Sequence, residues 1–405
     1  MIKDINNEMR HRDIGAIVVL GDTTLGNPDL SYAVGGNLAR GGIYFKRVDN
    51  DPLLLTSTLD FHTAQRLGRV KTIRTFTDYN FERLMVDHGR TEAYPRLIVK
   101  VLRELGVTGK VALAGRNDLG WGIYLSDRLR ALGAEITGED APTIIEAARE
   151  TKSTGELDEI RIIGNKTAHV VNVVMDKLRE AKRRRGHLWV GRSRATVGVV
   201  KQIIALQLAS EHLTAPEGTI FAIGASSADP HNSGDPRAEI TEGKLIVFDI
   251  FPQSESGYWF DLTRSFTVGR APKRALQLYD TVRRAQAVAM DLLKEGLPGD
   301  EAMSRACDII EGDGFRTVRD IYQGKVQQIH SGFNHSLGHG VGLTIGERPY
   351  LSFQSKDPLK NGHVVTVEPG VYLPRYGGVR IEDTVHVTGR GCVNLSTLRK
   401  EFELT

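Results

Sequence analysis

The sequence predicts two domains, an α/β domain over residues 1–146 and an α+β domain over residues 147–405. Three observations predict this division. A chain of 405 residues is longer than one ordinary hydrophobic core supports. Its N-terminal part alternates strand-like and helix-like patterns, which marks an α/β unit. From Lys244 onward the pattern becomes paired strand-like stretches separated by long helical zones, as when helices support an antiparallel sheet.

In the first domain the expected strands are 16–20, 42–46, 53–56, 72–76 and 110–114, each a short apolar run. Between them, 93–105 and 121–132 carry the helical spacing of apolar residues. This domain holds no cluster of acids and histidines and is expected to shape a pocket mouth and support oligomer contacts. A long helix is expected from about 147 to 182, with Ser153 or Thr154 as cap and Ile160, Ile163 and Val170–Val174 supplying the period. The basic run Lys182-Arg183-Arg184-Arg185 then reads as a solvated helix C-terminus, where cations suit the dipole. Ile203, Ile204, Leu206 and Leu208 indicate a further helix, followed by the strand-like stretches KLIVFDIF and GYWFDLTRSFTV. Helical zones at 271–294 and 303–312 come next, and strand and turn patterns run from Gly332 to the end.

Composition narrows the function classes. With 53 basic against 50 acidic residues and a formal charge of +3, no general attraction to nucleic acid is expected. Two cysteines, Cys307 and Cys392, supply no disulfide framework and fit a reducing compartment. The N-terminus MIKDINNEMRHRDIG has no apolar stretch of signal-peptide length, and no segment approaches a membrane span. Cytoplasm is the expected location.

Asp249, Asp261 and Glu368 share an oddity: each is an acid embedded in an apolar strand, in LIVFD, YWFDL and VVTVE. A buried acid without a cationic partner costs several kcal/mol, so each position calls for a cation. Asp249 and Asp261 are separated by an even number of residues, as are Glu368 and Glu382, and each interval contains turn residues. Because side chains alternate with period two, such hairpins put both acids of a pair on one face. In GGVRIEDTV the alternation puts Arg380, Glu382 and Thr384 on the pocket face and turns Asp383 outward. Arg380 can order the carboxylates or bind a substrate carbonyl or carboxylate through its planar fork.

His335 and His339 lie four apart, but Gly338, Gly340 and Gly342 argue for strand or loop rather than helix. His339, flanked by glycines, is the better metal ligand, and His335 faces substrate or supports the ligands. His231, in the turn-rich SADPHNSGDP, reads from sequence alone as a surface histidine. Four converging carboxylates with one imidazole suit two divalent cations that share bridging oxygens. Such cations generate hydroxide near neutral pH and polarise a carbonyl, and Glu368 is the acid expected to move the proton.

These motifs, VFDI, FDLTRSF, HSLGHGVGL, VEPGVY and GGVRIEDT in that order, resemble the pita-bread metallopeptidases, in particular the Xaa-Pro branch of prolidase and aminopeptidase P. The resemblance covers the whole chain in outline and is specific in the second domain. It implies a pita-bread catalytic domain in which Asp249, Asp261, His339, Glu368 and Glu382 bind two divalent metals, manganese first, with cobalt, zinc or iron as alternatives. It implies Glu368 as catalytic acid and base, with His231 and His335 in the catalytic set and His231, His335 and Arg380 contacting substrate. The expected reaction is hydrolysis, by a metal-bridging hydroxide, of the bond preceding proline in short peptides. The expected assembly is a homodimer. One departure is visible: the family commonly carries histidine where this chain has Gly346, a position that stabilises the reacting carbonyl. A lyase or hydrolase of a small polar metabolite on the same scaffold is therefore the alternative. Intact ligand positions argue against metal-free hydrolysis and against a binding module without catalysis.

Overall fold

A computed structural model describes residues 2–405 and divides into two compact units, the first reaching Arg149 and the second spanning Glu150–Thr405. In the first unit six strands form one sheet: β1 (Ala16–Gly21), β2 (Gly42–Arg47), β3 (Leu53–Thr56), β4 (Thr72–Thr75), β5 (Val111–Ala114) and β6 (Ile136–Thr137), in the order β4-β3-β2-β1-β5-β6. β1 runs antiparallel to β2 and parallel to β5. AIVVLG of β1 is buried almost throughout, the expected reading of a strand covered on both faces. The helix Arg90–Glu104 packs Ala93, Leu97 and Val101 at four-residue spacing, and Asp118 caps the helix Leu119–Ala131 by accepting from Trp121 N at 3.0 Å.

The second unit departs from the expected single helix over 147–182. One helix ends at Glu150 and the next spans Thr154–Arg179. The break arises because Lys152 N donates to Gly362 O at 2.8 Å, drawing the chain into extended contact with a distant loop. Ser153 then restarts the helix through a reciprocal cap with Glu156. The basic run is also not a helix end. Lys182–Arg184 is β7, an exposed strand that pairs with β8 (His187–Val190), which in turn pairs with β9 (Ser193–Arg194). Arg185 at φ 50° and Gly186 at φ 84° supply the two positive values that a tight hairpin turn requires.

The rest of the unit builds the site. Short β10 (Leu213–Thr214) pairs with β13 (Gln253–Ser254). A four-stranded sheet orders β11 (Thr219–Ile223), β12 (Ile246–Ile250), β14 (Leu262–Val268) and β22 (Glu403–Leu404). A five-stranded sheet has the order β16-β15-β17-β20-β21, from β15 (Gly338–Val341), β16 (Ile345–Leu351), β17 (Val364–Val367), β20 (Asp383–Thr388) and β21 (Gly391–Asn394). β18 (Gly370–Leu373) and β19 (Gly377–Arg380) form a separate two-stranded ladder. The helix Lys273–Leu292 buries Leu278, Val282, Ala285 and Ala289 in the same core as Val365, Val367, Val385 and Val387. Each of these leucine and valine side chains contributes about 1.5–3 kcal/mol by leaving water. Period two then turns Thr366, Glu368 and Thr384 to the opposite face. Among the described residues, no helix is long and apolar enough to cross a membrane.

Candidate metal centre

Strand register brings the four acids together. Asp249 on β12 pairs with Thr263, so Asp261, two residues earlier on the neighbouring chain segment, shares its face. Val367 pairs with Asp383 and Gly370 with Arg380, one continuous register that sets Glu368 opposite Glu382. The ribbon splits at that point: Glu368 N donates to Leu337 O at 2.8 Å and Glu382 N to Thr263 O at 3.0 Å. The two glutamates therefore sit at the mouth of a gap between two ladders. His339 enters on β15, whose glycines permit close strand packing. A Cβ at Gly338 would lie 2.0 Å from Thr366 O, and one at Gly340 would lie 2.3 Å from Arg348 O.

One donor atom from each of Asp261, His339 and Glu382 lies within 4.8 Å of the others. His339 Nε2 is 3.5 Å from Asp261 Oδ2 and 3.4 Å from Glu368 Oε1. His339 Nδ1 lies 3.1 Å from Gly340 O, which can only accept. The ring therefore carries its proton on Nδ1 and turns the Nε2 lone pair toward the acids, the tautomer of a metal-ligating histidine. Asp249 is shared: Arg380 Nη2 donates to its Oδ2 at 2.6 Å, while its Oδ1 is buried without a donor. Asp261 Oδ1 and Glu382 Oε1 are likewise buried without donors. A buried oxygen without a donor costs about 1–3 kcal/mol, and more when charged, so three at one place call for cations. The donor set fits divalent metal ions.

The electrostatics agree. Burial pushes the Asp261 carboxyl well above the usual range, and the charges of Glu382, Asp249 and Glu368 add to this. Burial, then Glu368 and Asp249, do the same to Glu382. Glu368 rises to about 8, driven by burial, with Arg380 pulling it down and Asp249 pushing it up. These groups are costly to ionise together until positive charge arrives.

Supporting groups come from the same strand faces. Thr263 donates to Glu382 Oε2 at 2.6 Å and accepts from Arg380 Nε at 3.2 Å. Thr366 accepts from His339 N at 3.0 Å and donates to Glu368 Oε1 at 3.2 Å. Arg380 Nη1 donates to Tyr372 OH at 2.7 Å, and Tyr372 OH lies 2.9 Å from His335 Nε2. His335 Nδ1 faces Ser336 O at 2.7 Å, so it holds the proton and Nε2 accepts from Tyr372. Burial, reinforced by Arg380, lowers the pKa of His335 to about 3 and keeps the ring neutral. Thr263 and Thr366 were detectable in the sequence, each two residues from an acid on the same strand face. Tyr372 also lies an even number of residues from Glu368.

All eight residues singled out in the sequence line one cavity of about 600 Å³, with exposed His231 among them. Asp383 differs from its expected outward place. It is fully buried, accepting from Arg264 Nη2 at 2.7 Å and contacting Lys400 Nζ at 2.9 Å. The outer face of this strand packs on the helical core rather than on water, so the acid needs cations there. Burial alone would raise its pKa, but Arg264 and Lys400 outweigh it and hold it below the usual range. Gly346 is exposed at φ 77°, a backbone conformation that favours glycine. A cavity of about 700 Å³, larger than the metal cavity, lies in the first unit beside Arg40, Arg90, Tyr94 and Trp121. It has no group of acids and histidines, so size alone does not locate the chemistry.

Fold and ligand set together define a metal-binding pita-bread protein. The model of metallopeptidase family M24 matches residues 158–389, more than half of the chain, and the chain belongs to that family. The family implies divalent metal ions. The Xaa-Pro dipeptidase of Pyrococcus furiosus is 39% identical over 185 residues, which cover 45% of this chain and 48% of that protein. The match thus spans about half the length of such relatives. Among solved structures, the prolidase from Pyrococcus horikoshii OT3 superposes with a TM-score of 0.74 at 24% identity, covering 99% of each chain. The Xaa-Pro dipeptidase from Bacillus anthracis gives 0.76 at 23% identity, covering 99% of this chain and 98% of that one. These two likenesses show the fold.

Proposed function

We propose that this protein is a metal-dependent peptidase that cleaves the bond preceding proline in short peptides, with two divalent ions held by Asp249, Asp261, His339, Glu368 and Glu382. The observation that carries the reading is the set of buried, donorless oxygens on Asp249, Asp261 and Glu382 beside the free Nε2 of His339, in a chain of family M24. The names of the relatives, Xaa-Pro dipeptidase and prolidase, support the substrate class. When bound, the ions would lower the pKa of a coordinated water and polarise the scissile carbonyl. Manganese is the proposed metal, because carboxylate-rich sites suit hard cations.

The chain's own groups divide the remaining work. Glu368, on the wall of the cavity beside the proposed ions, is the carboxylate placed to take a proton and return it to the leaving nitrogen. Arg380 stays charged and fixes Asp249, Thr263 and the Tyr372 hydroxyl. Neutral His335, its Nε2 bound to Tyr372, and exposed His231 face the cavity as substrate contacts. A homodimer and a cytoplasmic location complete the proposal.

The test is metal analysis of purified protein, followed by assay of free alanine release from Ala-Pro and from Ala-Pro-Ala, the latter leaving Pro-Ala, with manganese. The expected result is about two divalent ions per chain and manganese-stimulated turnover. Bound metal without turnover across a panel of Xaa-Pro peptides would overturn the substrate assignment.

A further inference from the structure

The metal cavity contains a cation that the proposed chemistry leaves unused. Lys201 lies on the helix Val197–Ser210, beside the stripe Val197, Val200, Ile204 and Leu208 that this helix buries. Its side chain reaches the cavity wall, where Nζ donates to Thr219 O at 3.0 Å. Thr219 pairs with Ile250, and the next residue, Ile220, pairs with Asp249, so this anchor sits one step along the ladder from a metal-centre acid.

An ammonium has three donors, and one carbonyl leaves two of them for a ligand. The fully buried cations of this unit each hold a carboxylate: Lys152 holds Glu347, Arg264 holds Asp383 and Arg380 holds Asp249. Lys201 has no such partner among the described residues. Glu217 lines the same cavity but is exposed and makes no ion pair with it. Burial alone lowers the Lys201 pKa, with no neighbouring acid pulling it back up. A half-buried ammonium without counter-charge is costly, and a bound anion relieves that cost. Ile220, Phe251 and Ile345 supply apolar surface in the same cavity.

We propose that Lys201 forms a carboxylate-binding subsite in the metal cavity and sets which peptides are preferred. The proposal rests on the peptidase reading for the identity of its ligand. Two parts of a short peptide offer the chemistry: an acidic side chain on the residue before proline, or the free C-terminal carboxylate. Lys201 is then a specificity-determining residue, and its loss changes discrimination between substrates rather than bond cleavage itself.

The test compares kcat/KM for Glu-Pro, Ala-Pro and Ala-prolinamide in manganese-loaded wild type, Lys201→Met and Lys201→Arg. If the side chain is recognised, Lys201→Met lowers the Glu-Pro to Ala-Pro ratio about tenfold or more, the worth of one charge-assisted hydrogen bond. If the C-terminus is recognised, the Ala-Pro to Ala-prolinamide ratio falls by that amount. Lys201→Arg retains most of either ratio. A purely structural tie to Thr219 O would lower all three substrates together and move neither ratio, which overturns the proposal. Should wild type turn over no peptide, the peptidase reading fails separately. The subsite is then judged by calorimetric titration of glutarate into the manganese-loaded protein. Binding weakened about tenfold in Lys201→Met supports it, and equal or undetectable binding overturns it.

Discussion

Asp261→Asn should affect the metal-free and metal-bound protein in opposite directions. Asp261 and Glu382 present donor atoms within 4.8 Å of each other. Two full charges at that separation repel by roughly 3–4 kcal/mol at an effective dielectric near 20. The folded protein avoids part of this cost by keeping carboxyls protonated, so about 1–3 kcal/mol is the expected relief when one charge is removed at pH 8. The sign follows from the direction of the shift. Asp261, Glu368 and Glu382 all have folded-state pKa values above their unfolded ones. The folded state therefore binds more protons, and metal-free stability falls as pH rises from the ordinary carboxylate range toward about 8, the Glu368 value. The asparagine variant should thus match wild type near pH 4 and exceed it at pH 8 by about 2–10 °C in Tm. With manganese at about a thousand times its dissociation constant, wild type gains about 4.1 kcal/mol that a ligand-deficient variant does not, and the order inverts. Thermal unfolding at both pH values, with chelator and with metal, reads all four cases. A variant less stable than wild type at pH 8 in chelator would refute the claim that the acids repel one another there.

Two further outcomes follow from the same geometry. Arg264→Met should destabilise the protein by about 3–5 kcal/mol in denaturant unfolding, with or without metal, because it leaves buried Asp383 short of a cation and removes the donor to Glu382 O at 2.6 Å; a loss below about 1 kcal/mol would remove Arg264 from the framework. Gly346→His should fold with a cost of about 1–2 kcal/mol, since no atom lies within 4 Å of a Cβ there but φ is 77°. It should also raise Ala-Pro turnover by restoring a donor; unchanged or lower kcat/KM in a folded variant would show that the site does without one.

The acids were legible in the sequence because strand periodicity is local. An acid in an apolar run, with an even separation from its partner, needs only neighbouring residues to be noticed. Thr263 and Thr366 could have been found by the same period. What escaped depends on partners far away along the chain. Arg264 and Asp383 are 119 residues apart, so nothing local marks Asp383 as buried. The helix break at Thr151–Ser153 is imposed by Gly362, and β7 formed where the apolar period alone suggested the helix would continue. Lys201 looks like any solvated helix lysine until the fold turns it toward Thr219.

The split ribbon that carries Glu368 and Glu382 also determines where this protein tolerates extra chain. Its closed end, Pro374-Arg375-Tyr376, lies beyond both ladders, and Gly377 pairs with Leu373 just inside it. A reporter peptide spliced in between exposed Pro374 and Arg375 adds length beyond both glutamates and spares both their alignment and the packing of Tyr376 on the core. A single residue spliced in at Pro369 would slide one arm past the other, turning an acid away from the gap and a hydrophobic side chain into it.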